Sequence, residues 1–221
     1  MNKKIICAAF TATAGFASAV SINVGVTGTA GGVNNWPAGE APAFAIDGLP
    51  GKYLNFGKVN TGIVVTPSAG SSVATSITLW TANDAVERDP SSYQVFGTNS
   101  DVSGGGSYDS SIFTLISSGV VDLPAGRNLT ANPLDSANSY TASFANTDAF
   151  TSFLVLFPTV KNEGTANSMQ IGEIQLGSAG GGIFSPGDTI FGVQAASTIP
   201  EPTTGILALL GLAPMLRRRR K

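Results

Sequence analysis

The sequence predicts an all-β protein built as an antiparallel β-sandwich, with a membrane-targeting segment at each end. Short runs rich in β-branched and aromatic residues are separated by Gly, Pro, Asn and Asp, and no helical period spans the middle of the chain. Many short strands divided by turn residues are typical of sandwiches. The predicted strands cover residues 21–26, 53–56, 62–66, 76–82, 92–97, 113–121, 140–144, 151–157 and 170–176.

The first element is a predicted secretory signal peptide over residues 1–19. Lys3 and Lys4 give it a basic start, residues 5–16 are apolar, and Ala17 and Ala19 form the small-residue pattern of a cleavage site. These are the three parts of a signal peptide, which the Sec translocon would handle. The alternative is a buried helix of the folded domain, which explains neither the lysines nor the alanines. We therefore expect an exported chain that begins near Val20.

The middle of the chain divides into a predicted β-sandwich domain over residues 20–176 and a linker over residues 177–198. A domain of that size buries roughly two-thirds of its unfolded surface, which is enough for one core. The segment 177–198 is rich in glycine and serine and carries few charges. Such a composition is typical of a flexible tether.

The last element, residues 199–221, has three ordered parts. Pro200, Glu201 and Pro202 come first, an apolar segment over residues 203–216 follows, and the chain ends in basic residues, namely Arg217, Arg218, Arg219, Arg220 and Lys221. The apolar core at 205–216 would span about 18 Å as a helix, short of the ~30 Å hydrocarbon core of a bilayer. A plain C-terminal anchor is the alternative interpretation, and in either case the arginines would stay on the cytoplasmic side.

This tail resembles the PEP-CTERM sorting signal of bacterial exported proteins. The resemblance covers these 23 residues and includes the Pro-Glu-Pro motif, the hydrophobic span and the arginine-rich end. It implies transient recognition and removal of the tail by a membrane peptidase of the exosortase type. The protein would then pass from the inner membrane to the cell surface or the extracellular matrix.

Composition excludes several functional classes. The chain has no histidine and a single cysteine, Cys7, which removes histidine-dependent triads, histidine-ligated zinc and internal disulfides. Residues 20–199 hold five basic and thirteen acidic residues, a net charge of −8. Nucleic acid is therefore not an expected partner, because phosphate binding needs basic residues.

Four short patterns follow one another along the domain. They are Ala45-Ile46-Asp47-Gly48, Arg88-Asp89-Pro90 before Ser92-Tyr93, Gly97-Thr98-Asn99, and Ile171-Gly172-Glu173-Ile174. In this order they resemble the discoidin, or F5/8 type C, family, whose galactose-binding-like jelly roll also occurs in bacterial carbohydrate-binding modules. The resemblance runs from about Trp36 to Leu176.

The resemblance implies a bound cation, commonly calcium, between the first loop and the last strand. Asp47 and Glu173 would supply carboxylates, and backbone carbonyls would come from Phe44, Leu49, Lys52 and Gly172. Calcium accepts such oxygen ligands. Lys52 departs from the family, where threonine is common. The alternative interpretation is that Asp47 caps a turn and Glu173 pairs with a nearby donor.

Sugar binding would need an exposed aromatic side chain beside polar groups. Trp36 and Tyr108 are the candidates because both lie in glycine-rich loops, whereas Trp80 and Tyr93 lie in predicted strands and are expected in the core. The charge cluster from Asp84 to Asp89 is either a polar ligand site or, as we expect, a loop held by an arginine–carboxylate fork.

Together these features predict a non-enzymatic surface or extracellular-matrix protein that binds carbohydrate, with calcium as its cofactor. The expected partners are the Sec translocon, an exosortase and an extracellular polysaccharide. A structural matrix or adhesion protein with the same fold and no specific sugar ligand is the main alternative. A hydrolase is less favoured, because the sequence shows no convincing catalytic carboxylate pair.

Overall fold

The computed structural model describes residues 19–25, 35–128 and 132–201. The predictions for the apolar core of the signal peptide, for Ala17, for Pro202, for the apolar segment and for the arginines lie outside these residues. Within them, no helix is long and apolar enough to cross a membrane.

The described residues form an all-β fold, which confirms the predicted fold class. Four short 3₁₀ helices, at Pro42–Ala45, Val86–Arg88, Ser110–Ile112 and Ser136–Asn138, interrupt the strands. The strands are β1 (Ser21–Gly25), β2 (Tyr53–Asn55), β3 (Thr61–Thr66), β4 (Ser76–Trp80), β5 (Ser92–Thr98), β6 (Gly106–Asp109), β7 (Thr114–Val120), β8 (Ser139–Ser143), β9 (Ser152–Phe157), β10 (Met169–Ile171), β11 (Glu173–Ser178), β12 (Gly181–Gly182) and β13 (Thr189–Ala195).

The strands form antiparallel sheets that pack as a sandwich. A seven-stranded sheet has the order β6-β1-β13-β3-β9-β5-β7, a four-stranded sheet has the order β12-β11-β4-β8, and β2 pairs with β10. Ile77 and Leu79 of the four-stranded sheet share one buried cluster with Phe153 and Val155 of the seven-stranded sheet. This cluster is the core between the two layers.

The seven-stranded sheet is buried on both faces, as β9 illustrates. Phe153, Val155 and Phe157 point into the core between the layers, whereas Leu154 and Leu156 belong to a second cluster on the opposite face. β9 is apolar at every position but the first. Such a continuous hydrophobic strand is stable only when other parts of the chain pack on both of its faces.

The predicted closing strand 170–176 is divided in the structure. The chain pairs with β2 as β10, passes through Gly172, and then pairs with β4 as β11. A Cβ at Gly172 would collide with the carbonyl oxygen of Thr81, so glycine permits this close approach at the change of partner. The pattern of the segment gave no sign of the division.

The linker predicted at 177–198 is wrong, because most of this segment belongs to the sandwich. β13 lies between β1 and β3 near the centre of the seven-stranded sheet, and Phe191 and Val193 are buried. The compact unit runs from Ala19 to Ile199, so the predicted domain end at residue 176 is wrong as well. Ile199 is itself buried, and its carbonyl oxygen accepts a hydrogen bond from Nε2 of Gln94 at 2.9 Å.

Candidate functional site

The structure brings Asp47 and Glu173 together, although 126 positions separate them in the sequence. Asp47 follows the 3₁₀ helix Pro42–Ala45, and Glu173 is the first residue of β11. The chain turns tightly after Asp47, where Gly48 adopts a φ of 68°. The backbone N–H of Gly48 donates to Oε1 of Glu173 at 3.0 Å. The backbone N–H of Leu49 donates to Oδ1 of Asp47 at 2.9 Å.

The carboxyl group of Glu173 is hydrogen-bonded to that of Asp47; Glu173 is buried, whereas Asp47 is partly exposed. Only 3% of the surface of Glu173 is exposed. Burial raises the pKa of Glu173 to about 9, and the hydrogen bond and negative charge of Asp47 act in the same direction. Without a cation, Glu173 therefore keeps its proton at neutral pH.

Lys52 does not neutralise this pair. Its ammonium group bonds to Oδ1 of Asp84 at 2.8 Å and to Oε1 of Gln170 at 3.1 Å, and it lies 3.4 Å from a carboxylate oxygen of Glu40. The side chain of Lys52 is buried, and its positive charge is paired with the carboxylates of Glu40 and Asp84. The departure from threonine at this position thus adds a local ion pair.

A small recess of about 120 Å³ adjoins Glu173 and contains a buried acceptor without a partner. Asn128 lines this recess with Gly172, and only 8% of its surface is exposed. Its Nδ2 donates to the carbonyl oxygen of Pro133 at 2.6 Å, which fixes the amide orientation and leaves Oδ1 without a hydrogen bond. Buried acceptors in this situation require a donor, a water molecule or a cation.

The oxygen donors around Glu173 fit a hard cation. The described residues contain no cluster of three or more His, Cys, Asp or Glu side chains, so a cation would rest on the carboxyl pair, on Asn128 and on backbone carbonyls. The structure places Phe44 in the 3₁₀ helix before Asp47, Leu49 in the turn after Asp47, and Gly172 directly before Glu173. Their roles as carbonyl ligands, with that of Lys52, stay predictions.

A larger cleft of about 340 Å³ opens on the other side of the pair. Its lining combines Asp47 and Glu173 with Trp80, Leu134, Phe184 and Pro186. Trp80 stands opposite Glu173 in the register of β4 and β11, on the face turned away from the core. The indole Nε1 is buried and has no hydrogen-bond partner.

The expectation that Trp80 belongs to the core is wrong, whereas Tyr93 is buried as predicted. A usable signal was present in the sequence. Ile77 and Leu79 alternate with Thr78 and Trp80, so a strand with the first pair inside must place Trp80 outside.

The exposed platform predicted at Trp36 is also wrong. Only 8% of Trp36 is exposed, and its ring packs edge-to-face on Tyr53 with 6.1 Å between centroids. Gly192 of β13 leaves the space that the Trp36 ring occupies. Tyr108 is half-buried on β6, where its hydroxyl donates to the carbonyl oxygen of Gly105 at 2.9 Å, and its contact with a ligand stays a prediction.

An arginine–carboxylate fork holds Asp89, as expected, but its arginine is Arg127 and not Arg88 of the charge cluster. Both terminal nitrogens of Arg127 donate to the two carboxylate oxygens of Asp89 at 2.8 Å, and Nζ of Lys161 lies 3.3 Å away. Asp89 is completely buried, so the fork fastens a loop and presents no open carboxylate.

No family model and no curated protein matches this chain. Several solved structures are similar to it. A family 32 carbohydrate-binding module of Clostridium perfringens NanJ, solved with galactose, is 13% identical, covers 63% of this chain and 86% of its own, and superposes with a TM-score of 0.42. The tandem module of C. perfringens ZmpB is 14% identical over 70% of this chain and 34% of its own, with a TM-score of 0.46. Chitosan-binding module 1 of a Paenibacillus sp. IK-5 chitosanase/glucanase is 16% identical over 63% and 86%, with a TM-score of 0.40.

Proposed function

We propose that this chain is a non-catalytic carbohydrate-binding protein and that the cleft beside Trp80 takes a sugar residue. One observation carries the proposal: an outward-facing tryptophan lies next to a carboxyl pair in one cleft. A pyranose has an apolar face and a rim of hydroxyl groups. Concave sites that combine aromatic side chains with a few placed polar groups are suited to such ligands.

The spacing of the carboxyl groups favours binding over hydrolysis. Retaining glycosidases separate their two carboxyl groups by ~5 Å and inverting enzymes by more, because the scissile bond lies between them. Asp47 and Glu173 are hydrogen-bonded to each other, which leaves no room for a glycosidic bond. The pair is suited to accepting hydroxyl groups or to holding a cation.

A cation at this pair is the second part of the proposal, and calcium is the ion that its oxygen donors suit. It would replace the proton of Glu173 and take oxygen ligands from Asp47, Glu173 and Asn128. The orphaned Oδ1 of Asn128 supports it. In this role the ion would join the loop after Ile46 to the start of β11 and so stabilise one wall of the cleft.

A glycan array probed with the purified exported protein tests the sugar proposal. We expect binding to at least one glycan class, and Trp80→Ala should weaken it at least tenfold, a change of ~1.4 kcal/mol. Phe56→Ala is the matched control, because Phe56 is exposed and does not line the cleft. Wild-type affinity in Trp80→Ala would exclude the cleft, and a blank array would favour the structural matrix protein.

Export and sorting complete the proposal, with the cell surface or the extracellular matrix as the destination. Val20 belongs to the fold, because it is buried and its backbone N–H donates to Oγ of Ser110 at 2.9 Å, so the proposed cleavage after Ala19 would keep the folded part complete. N-terminal sequencing of the exported protein should begin there, and mass spectrometry should not find the arginine end. Replacing Pro200 and Pro202 with alanine should retain the protein in the inner membrane. Recovery of an intact Met1, or indifference to the alanines, would contradict the respective step.

A further inference from the structure

A row of hydroxyl side chains covers the outer face of β4 and β8. In the register of these strands, Thr78 lies opposite Thr141, Ser76 opposite Ser143, and Trp80 opposite Ser139. The residues between them, such as Leu79 and Tyr140, point to the core. We call this set the hydroxyl strip; its members are Ser76, Thr78, Ser139, Thr141 and Ser143.

The hydroxyl strip is continuous with the cleft. Trp80, which lines the cleft, stands beside Ser139 on one side and Glu173 on the other. From Trp80 the strip follows β4 to Ser76, a distance of roughly 13 Å at ~3.3 Å per residue. That length exceeds one pyranose ring, so a ligand that starts in the cleft and continues along β4 would contain more than one sugar residue.

The chemistry of the strip selects an uncharged, hydroxyl-rich partner. None of its five side chains is ionisable, and each hydroxyl can both donate and accept. Thr141 and Ser143 are exposed, and the hydroxyls of Thr78 and Thr141 lie 3.0 Å apart. A protein interface would require an apolar centre and a nucleic acid would require basic residues, and the strip has neither.

We propose that a neutral glycan chain runs from the cleft along the hydroxyl strip, so that the protein recognises several consecutive sugar residues and not a terminal sugar alone. The inference rests on the proposed function, because the cleft supplies the first sugar site. The inference extends the proposed function by specifying that the ligand contains several sugar residues and that the hydroxyl strip binds them.

Calorimetric titration of the purified exported protein tests the inference. The probes are mono-, di-, tetra- and hexasaccharides of β-1,4-linked glucose, galactose and N-acetylglucosamine. For the series that binds, we expect affinity to rise at least tenfold from the monosaccharide to the tetrasaccharide. Thr78→Val with Thr141→Val should lower hexasaccharide affinity roughly threefold to tenfold for each hydroxyl that bonds the ligand, and should leave monosaccharide affinity unchanged.

The matched control removes a comparable hydroxyl pair elsewhere. Ser21 on β1 and Ser107 on β6 are exposed partners whose hydroxyls also lie 3.0 Å apart, so Ser21→Ala with Ser107→Ala should bind the hexasaccharide like the wild type. Valine keeps the β-branched shape that strands favour, so the double valine variant should fold.

Equal affinity for monosaccharide and hexasaccharide would overturn the strip while leaving the cleft intact. Length dependence that survives the valine variant would also overturn it, since the chain would then follow another surface. Absence of binding in all three series and on the glycan array would instead end the proposed function itself.

Discussion

The carboxyl group of Glu173, buried beside Asp47, makes stability depend on pH. Glu173 has a folded-state pKa of about 9, compared with an ordinary value of 4.5. Below pH 4.5 both folded and unfolded chains hold this proton, and between pH 4.5 and 9 only the folded chain keeps it. Because the unfolded state then binds fewer protons, the contribution of Glu173 to the free energy of unfolding falls as pH rises through that window.

With chelator present, we therefore expect the melting temperature to fall between pH 5 and 9 more steeply in the wild type than in Glu173→Gln. The proposed calcium ion would favour the ionised form of Glu173, so millimolar calcium should flatten this fall. A hundredfold excess of ligand over Kd contributes about 2.7 kcal/mol, which is a melting shift of several degrees at ~2–4 °C per kcal/mol. Differential scanning calorimetry with and without chelator measures both effects.

Glu163→Gln is the control for this measurement, because Glu163 is an exposed carboxylate away from the pair. It should keep both the pH slope and the calcium shift of the wild type, whereas Asp47→Ala should lose the shift. Equal melting temperatures of the wild type with calcium and with chelator would exclude the cation and leave Asp47 as a turn cap.

At the scale of elements, β13 is an example of a strand that its own local sequence could have predicted. Phe191, Val193 and Ala195 alternate with Ile190, Gly192 and Gln194, so the period of two that marks a strand was present in the sequence. The surrounding glycines and serines favour a linker by composition, and they hide the alternation that marks the strand. The alternation around Trp80 could likewise be predicted from the sequence. So could the all-β class and the positions of most strands along the chain.

Other features depended on contacts between distant segments and could not be read locally. Trp36 is buried because Gly192 makes space for its ring, and the Asp89 fork closes with Arg127 from a different loop. The recess at Asn128 exists only when its loop meets the start of β11. The motifs around Asp47 and Glu173 predicted their proximity, but not the hydrogen bond between them.

The whole molecule depends on β13 because this strand joins two parts of the seven-stranded sheet. β1 reaches β3 only through β13, and β6 is attached through β1. The segment after residue 176 also contributes Ile183, Phe184, Phe191 and Val193 to the two buried clusters. Burying each such side chain contributes about 1.5–3 kcal/mol, so together they approach the 5–15 kcal/mol that separates most folded domains from their unfolded state.

A chain that ends at residue 176 should therefore not fold, whereas one that ends at Ile199 should. Both begin at Val20, so the comparison isolates residues 177–199, and circular dichroism during heating distinguishes a cooperative transition from none. Val193→Asp in the longer chain provides a point test, since a carboxylate would replace a fully buried side chain; it should lower the melting temperature sharply or abolish the transition. Gln175→Ala is milder, because it removes only the two hydrogen bonds that fix the backbone of Phe184. If the chain ending at 176 melted cooperatively near the temperature of the longer one, β13 would be an accessory strand, and the core between the two sheets would stand without it.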